Sequence, residues 1–194
     1  IAGIERFMAE RVFNPYDNIL NRGGFLRQAG DGSWRYVTYD NLAVDVQTWG
    51  ITVLGVNWVD AKFKDKLGEG AAYKIWQNTK KRSGFFENGV LKGVGYTDGG
   101  ITLSGEWTAG AILMAREMAK AYRVSHPDWA SELEKDAESM RRGLEGLKET
   151  HPDGSVSYKY ANKRISTGFG WIANPIPSLA STAWVLMVDS DFNP

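Results

Sequence analysis

The chain contains no cysteine and only two histidines, His126 and His151, among its 194 residues. Without cysteine there can be no disulfide, thiol catalysis or zinc thiolate site, and two histidines leave little for a histidine metal site. Both histidines precede proline in "HPD", which predicts loop or helix-start roles rather than ligation or service as the base of a nucleophilic serine. We therefore expect neither a metal nor another cofactor.

An excess of one charge and a long apolar run are also missing. With 23 basic and 23 acidic side chains, the formal net charge is +0, which argues against nucleic acid or an anionic membrane as a partner. No apolar run reaches the roughly 18 residues of a membrane span. The N-terminal "IAGIERFMAERVF" has the pattern of an amphipathic helix rather than a signal peptide, and it begins with Ile1. We expect a processed product or an excised piece of a longer chain.

Apolar residues recur at helical spacing in six segments, which alternate between two kinds of helix. Helices with one polar face are predicted at 1–13, 68–82 and 127–149. Helices that are apolar around most of their circumference, and hence buried, are predicted at 40–55, 104–122 and 178–189. Asp40 and Ser178 are the candidate N-caps of two buried helices.

This alternation of inner and outer helices is what helical hairpins arranged in a ring require. The predicted fold class is therefore all-α, with residues 1–194 forming a single α/α toroid domain or the C-terminal half of one. The links at 14–39, 84–103 and 150–177 are long, with room for short β-hairpins, and each leads to the N-terminal end of an inner helix. Long loops in compact domains are more often functional than idle, so we expect the site on the rim where they gather.

Aromatic residues make up 12% of the chain, including eight tryptophans, and many lie in these links among glycines. They either pack the loops onto the rim or form a surface on which a pyranose ring stacks while polar side chains bind its hydroxyls. The candidate substrate-binding residues are Trp107, Trp49, Tyr96, Trp171, Tyr39, Asp98, Arg164 and Asn174.

Two acidic residues are the candidate catalytic groups. Glu106, in "SGEWTAG", falls in the first turn of its helix, where the helix dipole stabilises any carboxylate by roughly 0.3–1 kcal/mol. Its neighbours favour a functional role instead, because the preceding glycine permits close approach of a ligand and Trp107 supplies a stacking face. Asp45, in "DVQTWG", lies inside a predicted buried helix, where a charge is costly unless it is ion-paired or used. Asp45 either forms a structural ion pair with a basic loop residue or forms a catalytic pair with Glu106. Glycosidic hydrolysis requires two such carboxyl groups. Asp98 and Glu87 are substitutes for either role.

The helix alternation, together with "DVQTWG" and "SGEWTAG", resembles the six-hairpin glycosidase superfamily of (α/α)6 toroids, which includes glucoamylase-like and β-glucanase-like enzymes. The resemblance implies a pair of acidic catalytic residues, Asp45 and Glu106. Only about three of the six hairpins are visible, so the chain resembles one half of such a ring. It also implies that a missing half or a second copy of the chain completes the molecule.

Two functions follow as hypotheses. The first is an endo-acting, glucanase-like glycoside hydrolase, secreted or periplasmic, that cleaves a polysaccharide or oligosaccharide in an aromatic-lined cleft. The alternative is a non-catalytic carbohydrate-binding or assembly module. Carboxyl groups that face an open groove favour hydrolysis, whereas carboxyl groups tied to arginines favour binding alone.

Overall fold

A computed structural model describes residues 2–39 and 41–193, so the candidate N-cap Asp40 lies outside the described residues. The fold is mixed α and β, with 50% helix and 20% strand. Seven helices and eleven short strands in five small antiparallel sheets occur within the described residues. The prediction of an all-α toroid is therefore wrong. It failed because much of the three long links is paired into β-hairpins that contribute to the fold.

Helices account for about half of the described structure. They are α1 (Ala2–Phe7), which continues as a π-helical turn (Met8–Val12), α2 (Val44–Leu54), α3 (Val56–Leu67), α4 (Ala71–Ser83), α5 (Gly105–Tyr122), α6 (Pro127–Leu144) and α7 (Leu179–Asp189). α5 is the central helix, buried along most of its length and packed against α2, α6 and α7. α3 was not predicted. It follows α2 directly because Gly55, at φ +83°, ends one helix and redirects the chain into the next.

The strands belong to small antiparallel sheets. They are β1 (Phe13–Asn14) with β2 (Ile19–Leu20), β3 (Gly24–Gln28) with β4 (Trp34–Thr38), β5 (Gly84–Glu87) with β6 (Val90–Val94), β7 (Lys148–Thr150) with β8 (Val156–Lys159) and β11 (Pro177–Ser178), and β9 (Ile165–Ser166) with β10 (Ile172–Ala173). β8 is the middle strand of its sheet, between β7 and β11. The sheets lie in the three links that precede α2, α5 and α7.

Two of the hairpins use the same turn, written in the sequence as Asp-Gly-Ser. In the β3–β4 turn, the backbone N–H of Ser33 donates to Asp31 Oδ1 at 2.9 Å. In the β7–β8 turn, the backbone N–H of Ser155 donates to Asp153 Oδ1, also at 2.9 Å. The glycine between each pair has positive φ, so aspartate and glycine together specify the reversal.

The β5–β6 hairpin turns at Asn88 and Gly89, whose φ values are +52° and +76°. Two consecutive residues with positive φ are what a type I′ turn requires, and Asn-Gly is its preferred sequence. This turn reverses the chain between α4 and α5.

The hairpin-bearing links meet at the N-terminal ends of α2, α5 and α7, as predicted. The backbone N–H of Val44, the first residue of α2, donates to the carbonyl of Tyr96 at 3.2 Å. The N–H of Gly105, the first residue of α5, donates to the carbonyl of Tyr160 at 3.0 Å. Thr182, in the first turn of α7, accepts from the N–H of Tyr158 at 3.0 Å. Hydrogen bonds from backbone N–H groups, two to carbonyls and one to the Thr182 hydroxyl, therefore tie the links to the helix ends.

Complete burial of the three inner helices is not observed. α5 fits the prediction, but α2 exposes 81% of Val53. In α7, Leu179 and Leu186 are 87% and 61% exposed. The apolar pattern of α2 and α7 therefore covers a wider arc than the fold buries.

Candidate functional site

A cleft of about 230 Å³ lies where α2 and α5 begin. Its walls come from the first and third links and from the starts of both helices. The lining residues are Arg22, Ala43, Asp45, Val46, Trp107, Phe169 and Trp171. The convergence of separate segments on one concave surface makes this the candidate site.

Asp45 and Glu106 lie at matching positions, each the second residue of its helix. Ala43 is extended and precedes α2, so Asp45 lies in the first turn of that helix. The sequence pattern began this helix at residue 40, which placed Asp45 more than a turn inside it. Ser104 caps α5, since its side chain accepts from the N–H of Trp107 at 3.3 Å.

Both carboxyl groups are partly buried, and their pKa values are raised. Burial is the main cause in each case because it disfavours the charged form. The negative charge of Asp45 raises the pKa of Glu106 further, which places the two groups within electrostatic reach of one another. Asp45 also accepts a hydrogen bond from the N–H of Val46 at 2.9 Å, which partly opposes the effect of burial.

Neither carboxylate forms an ion pair with any lysine or arginine of the described residues. The structural ion pair considered for Asp45 is therefore not found in that part of the chain. Two partly buried acids with raised pKa values and no ion-paired cation suit general acid and base chemistry.

Aromatic rings form one wall of the cleft. The centroid of Phe169 lies 5.6 Å from that of Trp171 and 5.8 Å from that of Trp107. Trp171 is 43% exposed, so part of its indole is open to a ligand, whereas Trp107 is buried and supports the wall from behind. The indole N–H of Trp171 donates to the hydroxyl of Tyr160 at 3.2 Å, which orients the exposed ring.

Tyr96 lies beneath the wall rather than in the cleft. Its ring meets Trp107 edge-on at 4.9 Å, and its hydroxyl donates to the carbonyl of Tyr160 at 3.1 Å. Burial raises the pKa of Tyr96, and the charge of Glu106 adds to that effect. Tyr96 therefore connects the β6–α5 link, the third link and the neighbourhood of Glu106.

Tyr39 lies at the edge of the cleft beneath Arg22, a residue that the sequence reasoning missed. The guanidinium carbon of Arg22 lies 4.2 Å from the ring centroid of Tyr39 and 5.1 Å from that of Phe169. Its Nε donates to Asn41 Oδ1 at 2.7 Å. The surrounding "NRGG" signals only a loop, so nothing local in the sequence pointed to a role for this arginine.

Trp49 and Asp98 lie away from the cleft. Trp49 stacks on Trp184 with centroids 5.0 Å apart, beside a separate apolar pocket of about 140 Å³. Asp98 accepts two hydrogen bonds from the guanidinium of Arg82, one of them at 2.9 Å from Nη2. The contacts of Asp98 are therefore those of a structural ion pair.

The remaining candidates have few contacts. Asn174 donates only a long hydrogen bond, 3.4 Å, to the carbonyl of Ile172. Arg164 is exposed in the third link, and Glu87 is exposed at the end of β5. The structure does not bring these three side chains into the lining of the cleft.

The histidines have local roles in the described structure. His126 directly precedes α6 and stacks on Trp129 at 3.9 Å, while His151 lies in the β7–β8 turn within 2.8 Å of the hydroxyl of Ser157. Among residues 2–39 and 41–193, no group of three or more acidic or histidine side chains could hold a metal. No helix in that part of the chain is both long and apolar enough to cross a bilayer.

Comparison of the chain with protein-family models, curated proteins and solved structures finds no match.

Proposed function

We propose that the protein is a glycoside hydrolase that cleaves a polysaccharide or oligosaccharide in the cleft between α2 and α5. The observation that carries the proposal is the pair of partly buried, electrostatically coupled carboxyl groups, Asp45 and Glu106. Glycosidic hydrolysis requires one protonated carboxyl group to assist departure of the leaving oxygen and one ionised group to activate water or attack carbon.

The surroundings suggest which residue takes which role. Glu106 has the higher ordinary pKa, and burial and the charge of Asp45 both raise it further. Asp45 starts lower and receives a backbone hydrogen bond that favours its charged form. Glu106 is therefore assigned as the general acid and Asp45 as the ionised partner.

An exposed row of aromatic rings supports a chain-like substrate. Trp171 and Phe169 line the cleft, and Tyr39 continues the row across Arg22. The ring centroid of Phe25 lies 5.7 Å from that of Tyr39, so the row extends onto the β3–β4 hairpin. Rings beyond the acid pair can stack on further sugar residues, which favours an endo-acting enzyme. A polysaccharide hydrolase of this kind would act outside the cytoplasm, as a secreted or periplasmic protein.

The two motifs that resemble six-hairpin glycosidases both begin at the site. "DVQTWG" starts with Asp45, and "SGEWTAG" contains Glu106. A relationship to that superfamily stays a proposal about the acid pair and does not extend to the toroidal fold.

The test is a panel of soluble polysaccharides, with reducing ends and product sizes measured for the wild type, Glu106→Gln and Asp45→Asn. Each substitution is expected to lower turnover by roughly 10²–10⁴, the usual contribution of a general acid or base. Glu134→Gln is the matched control, because Glu134 is exposed on α6 and pairs with Arg123. Near-normal turnover in either acid variant would remove that residue from the mechanism. Binding of a polysaccharide without any cleavage would favour the non-catalytic carbohydrate-binding module.

A further inference from the structure

Arg22 brings a positive charge to the cleft that the described carboxylates do not neutralise. Its guanidinium lies over the rings of Tyr39 and Phe169, and its Nε is bound to Asn41. It forms no ion pair with Asp45, Glu106 or another acid within residues 2–39 and 41–193. The aromatic contacts and the Asn41 bond hold the guanidinium in place, and neither Nη atom has a hydrogen-bond partner in that part of the chain.

The β3–β4 hairpin independently places two further arginines beside the aromatic row. Arg27 and Arg35 are directly opposite each other in the strand register, on the same face as Phe25. Like charges directly opposite each other destabilise a strand pair. Asp31 compensates Arg35 at 3.2 Å, whereas Arg27 has no ion-pair partner among the described residues. An anion bound on the face that carries the aromatic row would relieve this repulsion between the two arginines.

We propose that the substrate is an anionic polysaccharide, whose negatively charged sugar substituents are bound by Arg22 beside the acid pair and by Arg27 and Arg35 along the hairpin. The inference rests on the proposed function of the cleft and specifies its substrate class. A guanidinium suits this role because its planar N–H groups match the two oxygens of a carboxylate or sulfate. Cation–π contact leaves the edge of the guanidinium available for that interaction.

The geometry also separates the two kinds of charge. Asp45 would repel an anionic substituent on the sugar that is cleaved, and Arg22, which lines the same cleft, offsets that repulsion. Arg35 is four positions from Tyr39, or about 14 Å along an extended chain, so the hairpin arginines would meet a different sugar residue from the one at Arg22. A neutral glucan would leave Arg22 and Arg27, the two arginines without an ion pair among the described residues, without a function in binding.

Binding can be measured without turnover by using the Glu106→Gln variant in calorimetry. The ligands are an oligogalacturonate, the same oligomer with its carboxyl groups reduced to alcohols, and a sulfated oligosaccharide of similar length. We expect the oligogalacturonate to bind more tightly than its reduced form, and added salt to weaken only the charged ligands. Tight binding of the sulfated ligand alone would identify sulfate, rather than carboxylate, as the recognised group.

Substitution of Arg22 tests the assignment directly. Adding Arg22→Met should weaken binding of the charged ligand roughly tenfold to a hundredfold, the usual loss for hydrogen bonds to a charged group, and leave the reduced ligand unaffected. Arg22→Lys should restore part of the affinity. Arg142→Met is the control, because Arg142 is exposed on α6 and paired with Glu138.

The two proposals fail in different ways. Equal affinity for the charged and reduced ligands, or unchanged affinity in Arg22→Met, would overturn the inference of an anionic substrate. Efficient wild-type hydrolysis of neutral glucans in preference to charged chains would also overturn it, while leaving the hydrolase proposal intact. Arg22-dependent binding of the oligogalacturonate without any cleavage by the wild type would overturn the hydrolase proposal alone.

Discussion

Asp45 and Glu106 show how two opposing effects decide the properties of a single carboxyl group. Each lies in the first turn of a helix, where unpaired amides and the helix dipole favour the ionised form by roughly 0.3–1 kcal/mol. Burial favours the neutral form, and both pKa values are raised, so burial outweighs the helix terminus at both positions. The raised pKa values of these two residues are therefore explained by their burial and not by their position in a helix.

The raised pKa values predict the pH dependence of activity. Glu106 must be protonated to act as the general acid, so activity should fall as the pH rises through the raised pKa of Glu106. Asp45 must be ionised, so activity should fall as the pH drops through the raised pKa of Asp45. Both limbs of the pH–activity profile should therefore lie above the ordinary pKa values of 3.8 for aspartate and 4.5 for glutamate. In Asp45→Asn the neighbouring charge is lost, and the alkaline limb of the residual kcat/KM profile should move to lower pH. An alkaline limb at the same pH in both proteins would show that Asp45 does not act on the group being titrated.

At the scale of secondary structure, α4 and α6 are joined by a network of charged and aromatic side chains. Lys80 Nζ lies 2.7 Å from both Glu132 Oε1 and Asp136 Oδ2. The hydroxyl of Tyr73 and the indole N–H of Trp76 donate to the same two carboxylates. The network joins polar groups of α4 to two carboxylates of α6.

Acid should weaken this interface in a defined range. Burial alone would raise the pKa of Glu132, but hydrogen bonds from Lys80, Tyr73 and Gln77 outweigh it and lower the pKa from 4.5 to about 2. A lowered folded-state pKa means that the stabilisation is complete above about pH 4.5 and is lost as pH falls towards 2. Urea unfolding between these limits should show that decline.

Removal of Lys80 tests the same interface at neutral pH. Lys80→Met should lower the free energy of unfolding by about 1–3 kcal/mol, because it leaves two neighbouring carboxylates without their cation, and solvent screens part of the effect at the 42% exposed Glu132 side chain. It should also flatten the acid-dependent part of the stability profile. The exposed neighbour Lys81 serves as the control, since Lys81→Met should change neither measurement. An unchanged profile in Lys80→Met would mean that the network contributes nothing to folding stability.

A close approach between α6 and β6 depends on Gly143. A Cβ atom at this position would collide with the backbone carbonyl of Lys92, which cannot move aside as a side chain could. We expect Gly143→Ala to destabilise the protein by about 1–3 kcal/mol, as overpacking in a filled core does. Gly146→Ala is the matched control, because a Cβ there meets no atom within 4 Å. Equal thermal unfolding midpoints for the two variants would contradict this explanation.

At the scale of the whole molecule, apolar surface remains exposed on the two helices that flank α5. Val53 on α2 and Leu179 and Leu186 on α7 are each more than half exposed. Large exposed apolar patches commonly mark a surface that another protein covers. We therefore expect a second copy of the chain to associate through this surface.

Light scattering at micromolar concentrations should show this association. Leu186→Lys should reduce it, because the substitution places a charge in the apolar surface. Val124→Lys is the control, since Val124 is 95% exposed in the turn between α5 and α6 and belongs to no such patch. A monodisperse monomer over the same concentration range would show that the exposed residues do not drive association.

The helical part of the fold could be predicted from periodicity. The patterns at 104–122 and 127–149 correspond to α5 and α6, because three-to-four spacing of apolar residues is a local property of the sequence. The hairpins were predictable too, since Asn88-Gly89 and the two Asp-Gly-Ser turns carry strong turn signals. Those signals were outweighed by the expectation of a toroid, in which the same segments were treated as links.

The acid pair illustrates what could be predicted about the site. Asp45 and Glu106 were identifiable because each stands in an apolar stretch where an acid needs an explanation. Trp49, predicted as a substrate-binding residue, lies on Trp184 outside the cleft, because the face of a helix that meets a given neighbour depends on how the helices pack. The types of residue suited to a site could be predicted from the sequence, but helix packing determines which of them lie in the cleft.

The sequence by itself determined the composition of the molecule, the approximate positions of most helices, the turn residues and the chemical types available for a site, because these depend on neighbouring residues alone. Only the tertiary structure decided that Arg22 lies over Tyr39 and Phe169, two rings from different links. It also decided that Asp45 and Glu106 share an electrostatic environment across 61 positions of sequence. Contacts between distant segments, and the burial that sets a pKa, arise only when the whole chain packs.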